Sequence, residues 1–154
     1  MLNLVLYQPD IPQNLGAMLR LSACLRARVH IVEPCGFPLS DQKLRRAGMD
    51  YMELADYIAH MNWERFLDYR QQNPGRLLLL ETDGATPYTE LAFQPSDYVV
   101  LGRESAGTPR ELYDQMDQTV YIPMRDGVRS LNVAMSAGIL TAEACRQLGW
   151  SFAA

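Results

Sequence analysis

Short apolar segments alternate along the chain with segments of helical periodicity, and this alternation constrains the fold more than any other feature. Residues 2–7, 28–33, 77–81, 97–101 and 119–122 are rich in strand-forming side chains and end near glycine, proline or polar residues. Strands that alternate with helices predict an α/β fold with a mostly parallel sheet flanked by helices. Because ligands of such sheets bind beyond the carboxyl ends of the strands, the loops after residues 81, 101 and 122 are candidate binding loops.

The segments between these strands predict the helices and loops. Two prolines disfavour a helix over residues 9–13, so Asn14 is expected to cap a helix that runs to about residue 26. Pro109 is typical of the first turn of a short helix. The remaining segments are interpreted by the same signals: residues 62–72 and 132–148 as helices, residues 41–48 as a short helix capped by Asp41, residues 82–87 as a loop, and residues 51–59 as either a strand or a helix.

Length and composition indicate one folded domain, residues 1–154. Hydrophobic residues make up 48% and charged residues 21% of the chain, a mixture typical of globular proteins. No apolar run approaches the roughly 20 residues that span a bilayer, and the opening residues lack the basic leader of a signal peptide. Three widely spaced cysteines argue against a disulfide framework. We therefore expect a cytoplasmic protein with no membrane partner.

The formal net charge of -4 conceals an asymmetry along the chain. Residues 1–50 hold six basic and four acidic side chains, whereas the remainder holds eight basic and fourteen acidic ones. Arginine supplies thirteen of the fourteen basic side chains, and its planar guanidinium grips phosphates with two parallel hydrogen bonds. Arg45 and Arg46 are therefore candidate contacts to an RNA backbone, with a surface role free of RNA as the alternative.

Several common sites are disfavoured by the motifs that the sequence lacks. It has neither the glycine-rich phosphate loop with its lysine nor the dinucleotide-binding glycine fingerprint. His30 and His60 have no partners at metal-ligand spacing, so no metal is expected, and His30 is expected to pack within a strand. Ser105 lies in a loop that resembles the nucleophile turn of serine hydrolases, but Arg103 stands where that turn needs glycine. A hydrolase based on Ser105 is therefore a weak alternative.

Three segments, each next to a predicted strand, carry the strongest functional signal. The first reads Pro-Asp-Ile-Pro-Gln-Asn-Leu-Gly at residues 9–16 and is followed by Arg20. The second reads Leu-Gly-Arg-Glu-Ser-Ala-Gly-Thr-Pro at residues 101–109, with two glycines that permit close backbone approach. The third reads Ile-Pro-Met at residues 122–124 and Arg-Ser-Leu-Asn-Val-Ala at residues 129–134, which places Ser130 and Asn132 where a helix N-terminus exposes unpaired N–H groups.

In this order, and together with Leu-Arg-Arg-Ala-Gly-Met-Asp-Tyr at residues 44–51, the segments resemble the SPOUT superfamily of RNA methyltransferases. The similarity covers nearly the whole chain and is greatest to the minimal group that methylates the ribose 2′-hydroxyl of tRNA cytidine or uridine 34. The resemblance implies a C-terminal trefoil knot, S-adenosylmethionine as the methyl donor and S-adenosylhomocysteine as its product. It also implies a homodimer that acts on the tRNA anticodon loop.

The resemblance further assigns roles to residues of the three segments. It implies catalytic roles for Arg20, Asn14, Ser130 and Asn132. It implies cofactor contacts, largely through backbone groups, for Leu80, Gly102, Glu104, Gly107, Ile122, Met124, Ser130 and Leu131. Candidate RNA contacts are Arg20, Arg45, Arg46 and Glu104. Ala134 and Met135 depart from the commoner Ser-Asn of relatives, which weakens any role for side chains at those two positions.

Arg20 is the residue that the resemblance assigns to activation of the 2′-hydroxyl. Guanidinium accepts protons poorly, because its pKa lies above about 12. We therefore favour a hypothesis in which Arg20 stabilises the developing alkoxide or grips the adjacent phosphate, while a phosphate or water takes the proton. The alternatives are 2′-O-methylation of another tRNA or rRNA site, and an RNA-binding protein on the same scaffold that has lost catalysis.

Overall fold

The computed structural model describes residues 1–40, 51 and 53–149. Within this part of the chain, seven strands form one sheet in which all hydrogen-bonded pairs are parallel. The strands are β1 (Asn3–Tyr7), β2 (Arg28–Val32), β3 (Tyr57–His60), β4 (Leu77–Leu80), β5 (Thr86–Pro87), β6 (Tyr98–Leu101) and β7 (Gln118–Tyr121). Their order across the sheet is β3-β2-β1-β6-β4-β7-β5.

Among the described residues, three α-helices flank the sheet: α1 (Pro12–Leu25), α2 (Trp63–Gln72) and α3 (Val133–Leu148). Two 3-10 turns, Tyr88–Glu90 and Arg110–Gln115, lie in the connections. No helix in the described ranges is long and apolar enough to cross a membrane.

Alternation along the strands divides the core into two layers. In β6, Val99 and Leu101 pack towards α1 and α3, whereas Tyr98 and Val100 pack with the aromatic side chains of α2. Successive side chains of a strand point to opposite faces, so a sheet covered on both sides needs apolar residues at nearly every position. This explains why the strands appear in the sequence as continuous apolar runs.

The strand order brings the candidate loops together. β6, β4 and β7 are neighbours, and Leu80 at the end of β4 pairs with both Leu101 of β6 and Val120 of β7. All three strands run in the same direction, so the loops after residues 81, 101 and 122 leave the sheet side by side at one edge. The sequence prediction that these loops share an edge is confirmed.

The start of α1 differs from the prediction. The helix begins at Pro12, with Ile11 as the cap residue and no side-chain capping bond, so the prediction that Asn14 is the N-cap is wrong. Backbone N–H groups in the first turn of a helix have no acceptor within the helix. Proline, which has no N–H, therefore loses no hydrogen bond there. The helix predicted over residues 62–72 is confirmed as α2, and Asn62 is its cap, whose side chain accepts a hydrogen bond from the Arg65 N–H at 2.9 Å.

Two further segments resolve open or mistaken predictions. The prediction that residues 82–87 form a loop is wrong for Thr86–Pro87, which pair with Val120 and Tyr121 of β7 as the edge strand β5. The Ala85 N–H donates to the Thr119 carbonyl at 3.2 Å and so brings this segment alongside β7. Of the ambiguous residues 51–59, Tyr57–His60 form β3. The helix predicted over residues 41–48 lies outside the described residues. The C-terminal knot and the single domain over residues 1–154 stay predictions.

Candidate active site

A cavity of about 430 Å³ opens at the carboxyl edge of β4, β6 and β7. Its volume lies within the roughly 300–1,000 Å³ of small-ligand sites. It is lined by the ends of the three strands, by the loops that follow them and by the N-termini of α1 and α3: Ile11, Asn14, Leu80, Glu81, Thr82, Leu101, Gly102, Arg103, Glu104, Gly107, Ile122, Met124, Arg129, Ser130, Leu131, Asn132, Val133 and Ser136.

The structure brings most of the sequence-predicted site residues to this one cavity. All eight residues expected to contact the cofactor line it, as do the two asparagines expected to act in catalysis. Arg20 is absent from the lining. Arg45 and Arg46 lie outside the described residues, so the structure says nothing of their positions.

The loop after β6 is held in a tight turn that requires glycine. Arg103 and Gly107 exchange backbone hydrogen bonds of 3.2 and 2.8 Å, and Gly107 has a φ of +67°. A Cβ atom at Gly102 would lie 2.6 Å from the backbone of Gly107 and Thr108, closer than real Cβ contacts come. The turn therefore exposes backbone groups, rather than side chains, to the cavity at this point.

Glu81 fastens this turn to the neighbouring strand end. Its Oε1 accepts a hydrogen bond of 2.9 Å from the Thr108 N–H. Glu81 also lines the cavity, and the sequence reasoning missed it, although a carboxylate directly after a buried strand was a signal available in the sequence.

Three polar side chains, one from each segment that the sequence singled out, form a hydrogen-bonded chain along the cavity, which we call the open network: Asn132, Asn14 and Glu104. Asn132 Nδ2 donates to Asn14 Oδ1 at 2.9 Å, and Asn14 Nδ2 donates to Glu104 Oε1 at 3.1 Å. Glu104 Oε2 accepts from the Asp10 N–H at 2.9 Å. Every bond has a defined direction, so the network fixes both amide orientations.

Asn132 also starts α3. Its Oδ1 accepts from the N–H groups of Ala134 and Met135 at 2.9 and 3.2 Å, as a helix cap does. The two residues that depart from relatives therefore contribute backbone donors to the cap, for which their side chains are not needed. The same amide holds the helix start and, through Asn14, the open network.

Arg20 lies on another face of α1. It is six residues beyond Asn14, and at about 100° per residue the two side chains leave the helix in different directions. The side chain is exposed, and its Cζ lies 4.7 Å from the centroid of the Tyr51 ring. A single chain thus presents Asn14 to its own cavity and directs Arg20 elsewhere.

The geometry does not support a serine hydrolase. Ser105 is exposed and donates a hydrogen bond to the carboxylate of Asp10, and it has no histidine beside it. Hydrogen bonds involving Glu104 and Ser105 hold the pKa of Asp10 below its usual value. His30 and His60 are buried and hydrogen-bonded to each other, which confirms that His30 is a packed residue and leaves Ser105 without a base.

Other reactive groups do not form a second catalytic constellation among the described residues. Burial raises the pKa of the Cys35 thiol to about 11, so little thiolate exists at neutral pH. The described part of the chain contains no group of three or more His, Cys, Asp or Glu side chains that could hold a metal ion.

A parallel sheet covered on both sides, with a small-ligand cavity at its carboxyl edge, is the architecture of a ligand-binding α/β protein. The chain belongs to the SpoU rRNA Methylase family, whose model matches residues 1–142. It is 48% identical to a tRNA (cytidine(34)-2′-O)-methyltransferase of Beijerinckia indica over 95% of this chain and 91% of that protein.

Two solved structures share the fold. One, described as giving structural insights into the 2-OH methylation of C/U34 on tRNA, is 41% identical, covers 97% of each chain and has a TM-score of 0.90. An AdoMet-bound rRNA methyltransferase of Sinorhizobium meliloti is 25% identical with a TM-score of 0.83, covering 96% of this chain and 56% of that one. The family resemblance inferred from the three segments is thereby confirmed.

Proposed function

We propose that this protein transfers a methyl group from S-adenosylmethionine to the 2′-hydroxyl of nucleotide 34, a cytidine or a modified uridine, in the tRNA anticodon loop. The observation that carries the proposal is the convergence of the three segments on one cavity in a chain 48% identical to an enzyme named for that reaction. Unstacked loop nucleotides expose their ribose and base edges, and sequence-specific RNA recognition mostly targets such nucleotides. With such a substrate we expect the protein to act in the cytoplasm, and we expect residues 1–154 to form one domain.

The residues of the cavity fit the proposed donor. Leu80 and Ile122 offer backbone hydrogen bonds and an apolar wall suited to adenine, and Gly102 lets the turn after β6 fold back closely beside them. Ser130 and Leu131 close the cavity on the side of α3. When bound, S-adenosylmethionine supplies an electrophilic methyl group on a sulfonium sulfur, and no metal is required.

The residues of the chain then have to orient one ribose oxygen towards the methyl group and assist the loss of its proton. Asn14 and Asn132 present fixed amide groups at the cavity, where they orient the substrate ribose. Arg20 stabilises the developing alkoxide or grips the adjacent phosphate, and a phosphate or water takes the proton as the oxygen–carbon bond forms and the sulfur–carbon bond breaks. Alignment of this kind can lower a barrier by roughly 7–11 kcal/mol in ideal cases.

The position of Arg20 supports a shared site in a homodimer. Because Arg20 leaves α1 away from its own cavity, it serves the cavity of a partner subunit. The exposed face of α3 fits a tightly packed interface, since it carries Met135 and the open position at Gly138. Small residues allow another backbone to approach closely.

Methylation of tRNA tests the function. Ribose methylation at nucleotide 34 should be absent from tRNA of cells that lack the protein and restored in vitro by the purified protein with S-adenosylmethionine. Methylation at another tRNA or rRNA nucleotide would contradict nucleotide 34 as the target and would keep the reaction, 2′-O-methylation of RNA. Binding of RNA with no methyl transfer at any nucleotide would refute the enzyme.

Mixed subunits test the shared site. Arg20→Ala should abolish turnover and leave cofactor binding nearly intact, and Ser130→Trp, at an exposed position of the cavity lining, should block the cavity. In a random mixture of the two inactive variants, one dimer in two combines an intact cavity with a partner's intact arginine, which restores about a quarter of the wild-type sites. No recovery from refolded mixtures, or a fully active monomer, would contradict the shared site.

A further inference from the structure

Tyr51 is the aromatic partner of Arg20, and the function proposed above gives it no role. The ring is half-buried, and the guanidinium carbon of Arg20 lies 4.7 Å from its centroid. A cation over an aromatic face is attracted by the ring quadrupole, an interaction that requires no hydrogen bond to one particular atom. An arginine side chain has many rotamers, so a contact with a half-buried ring contributes to where its charge lies.

The turn that carries Tyr51 is anchored to the helix that carries the arginine. The N–H groups of residues 54 and 55 donate to the Tyr51 carbonyl at 3.0 and 2.9 Å. The Asp56 N–H donates to Ser22 Oγ at 3.1 Å, and Ser22 Oγ donates to the Asp56 carbonyl at 3.2 Å. Arg28 Nε lies 3.0 and 2.9 Å from the two carboxylate oxygens of Asp56. The ring and α1 therefore hold a fixed relation to each other.

We propose that Tyr51 is a positioning residue for methyl transfer, because its ring favours the side-chain rotamer that places the Arg20 guanidinium over it. The inference rests on the proposed function, in which Arg20 acts on the partner's cavity. Tyr51 touches neither substrate nor cofactor in this role. It acts by raising the fraction of Arg20 side chains that already point towards the partner, so its loss lowers kcat and leaves cofactor affinity unchanged.

Replacement of the ring tests the proposal. Tyr51→Leu should lower kcat about threefold to thirtyfold, whereas Tyr51→Phe and Tyr51→Trp should stay within about twofold of the wild type. Leu54→Ala serves as the matched control, since Leu54 lies in the same turn with 72% of its surface exposed and takes no part in the contact. Calorimetry with S-adenosylhomocysteine should give the same Kd for every variant.

Fluorinated phenylalanines at position 51 separate electrostatics from packing. One, two and three ring fluorines weaken the quadrupole stepwise with little change in size, so kcat should fall stepwise in a folded protein. An unchanged kcat across this series, or a Tyr51→Leu variant as active as Tyr51→Phe, would overturn the proposal while leaving the function standing. Wild-type activity in Arg20→Ala would instead refute the role of Arg20 and the positioning role with it.

Discussion

Two of the hydrogen-bonded chains of polar side chains among the described residues differ in what surrounds them. The open network borders the cavity, so solvent or a ligand can reach it. The second chain, which we call the sealed network, joins Asn3, His30 and His60 beneath α2, where their exposed fractions are 8%, 0% and 6%. Buried polar groups need fixed partners, whereas groups at a cavity can exchange theirs for a ligand. The contrast separates residues that serve chemistry from residues that serve stability.

The sealed network fixes the protonation of both histidines. Asn3 Nδ2 donates to the Asp97 carbonyl, so Asn3 Oδ1 accepts from His30 Nε2 at 3.2 Å. His30 Nδ1 is then the acceptor of the His60 Nε2–H, at 2.9 Å. Both rings are neutral, because burial lowers the pKa of His30 to about 3 and also lowers the pKa of His60.

The largest expected effect belongs to the open network. Glu104→Ala removes the acceptor for Asn14 and for the Asp10 N–H, so kcat/KM should fall about 100-fold or more, as when a preorganised polar group is removed from an active site. The free energy of unfolding should change by less than about 1 kcal/mol, because water can replace the carboxylate. Glu104→Gln keeps one acceptor and should retain intermediate activity. Methyl-transfer kinetics and urea unfolding measure the two effects. A Glu104→Ala variant that loses stability but not activity would show that the open network serves stability rather than chemistry.

The sealed network should respond in the opposite way. His30→Ala creates a cavity and leaves polar partners buried, so the free energy of unfolding should fall by about 2–4 kcal/mol. The kcat of the folded fraction should stay near the wild-type value. Urea unfolding and active-site titration measure the two quantities. A stable but inactive His30→Ala would place this histidine in the chemistry.

Acid should destabilise the protein through the same pair. The pKa of His30 is lower in the folded chain than in the unfolded one, so below pH 6.5 the unfolded state binds more protons. The stabilisation is fully present above pH 6.5 and is lost progressively as the pH falls towards 3. His30 alone should contribute a loss of about 2 kcal/mol between pH 7 and pH 5. Urea unfolding of wild type and His30→Gln at both pH values should show a smaller loss in the variant, and equal losses would exclude the pair as the cause.

The smallest expected effect concerns the charge of two arginines. Arg45→Gln with Arg46→Gln should weaken tRNA binding and reduce the slope of log K against log salt by about one to two. Cofactor affinity should not change. Arg65→Gln with Arg70→Gln provides a control of equal charge on α2. Identical salt slopes for both pairs would show that Arg45 and Arg46 make no phosphate contacts.

The sequence predicted the parts of this molecule that depend on local pattern. Continuous apolar runs such as Leu77–Leu80 predicted buried parallel strands. Parallel strands end at one edge of a sheet whatever their order, so the loops that follow them were predicted to share that edge. The start of α1 was misjudged because proline both breaks helices and begins them, and Asn14 has the side chain of a cap.

Other features depend on contacts between distant residues and could not be predicted. The bond between Asn14 and Asn132 spans 118 positions, and the contact between Arg20 and Tyr51 depends on how two elements dock. The family resemblance supplied site residues such as Leu80, whose apolar side chain gives no chemical signal of its own. The position of Glu81 after a buried strand was a signal in the sequence, but its bond to the Thr108 N–H depends on the loop that folds over it.

The most direct test is a crystal structure of the protein with S-adenosylhomocysteine. We predict that the ligand lies in the cavity against the backbone of Leu80, Gly102 and Ile122, with Arg20 of a second subunit directed at its sulfur. A ligand bound elsewhere, or a cavity that stays empty at saturating concentration, would contradict the account.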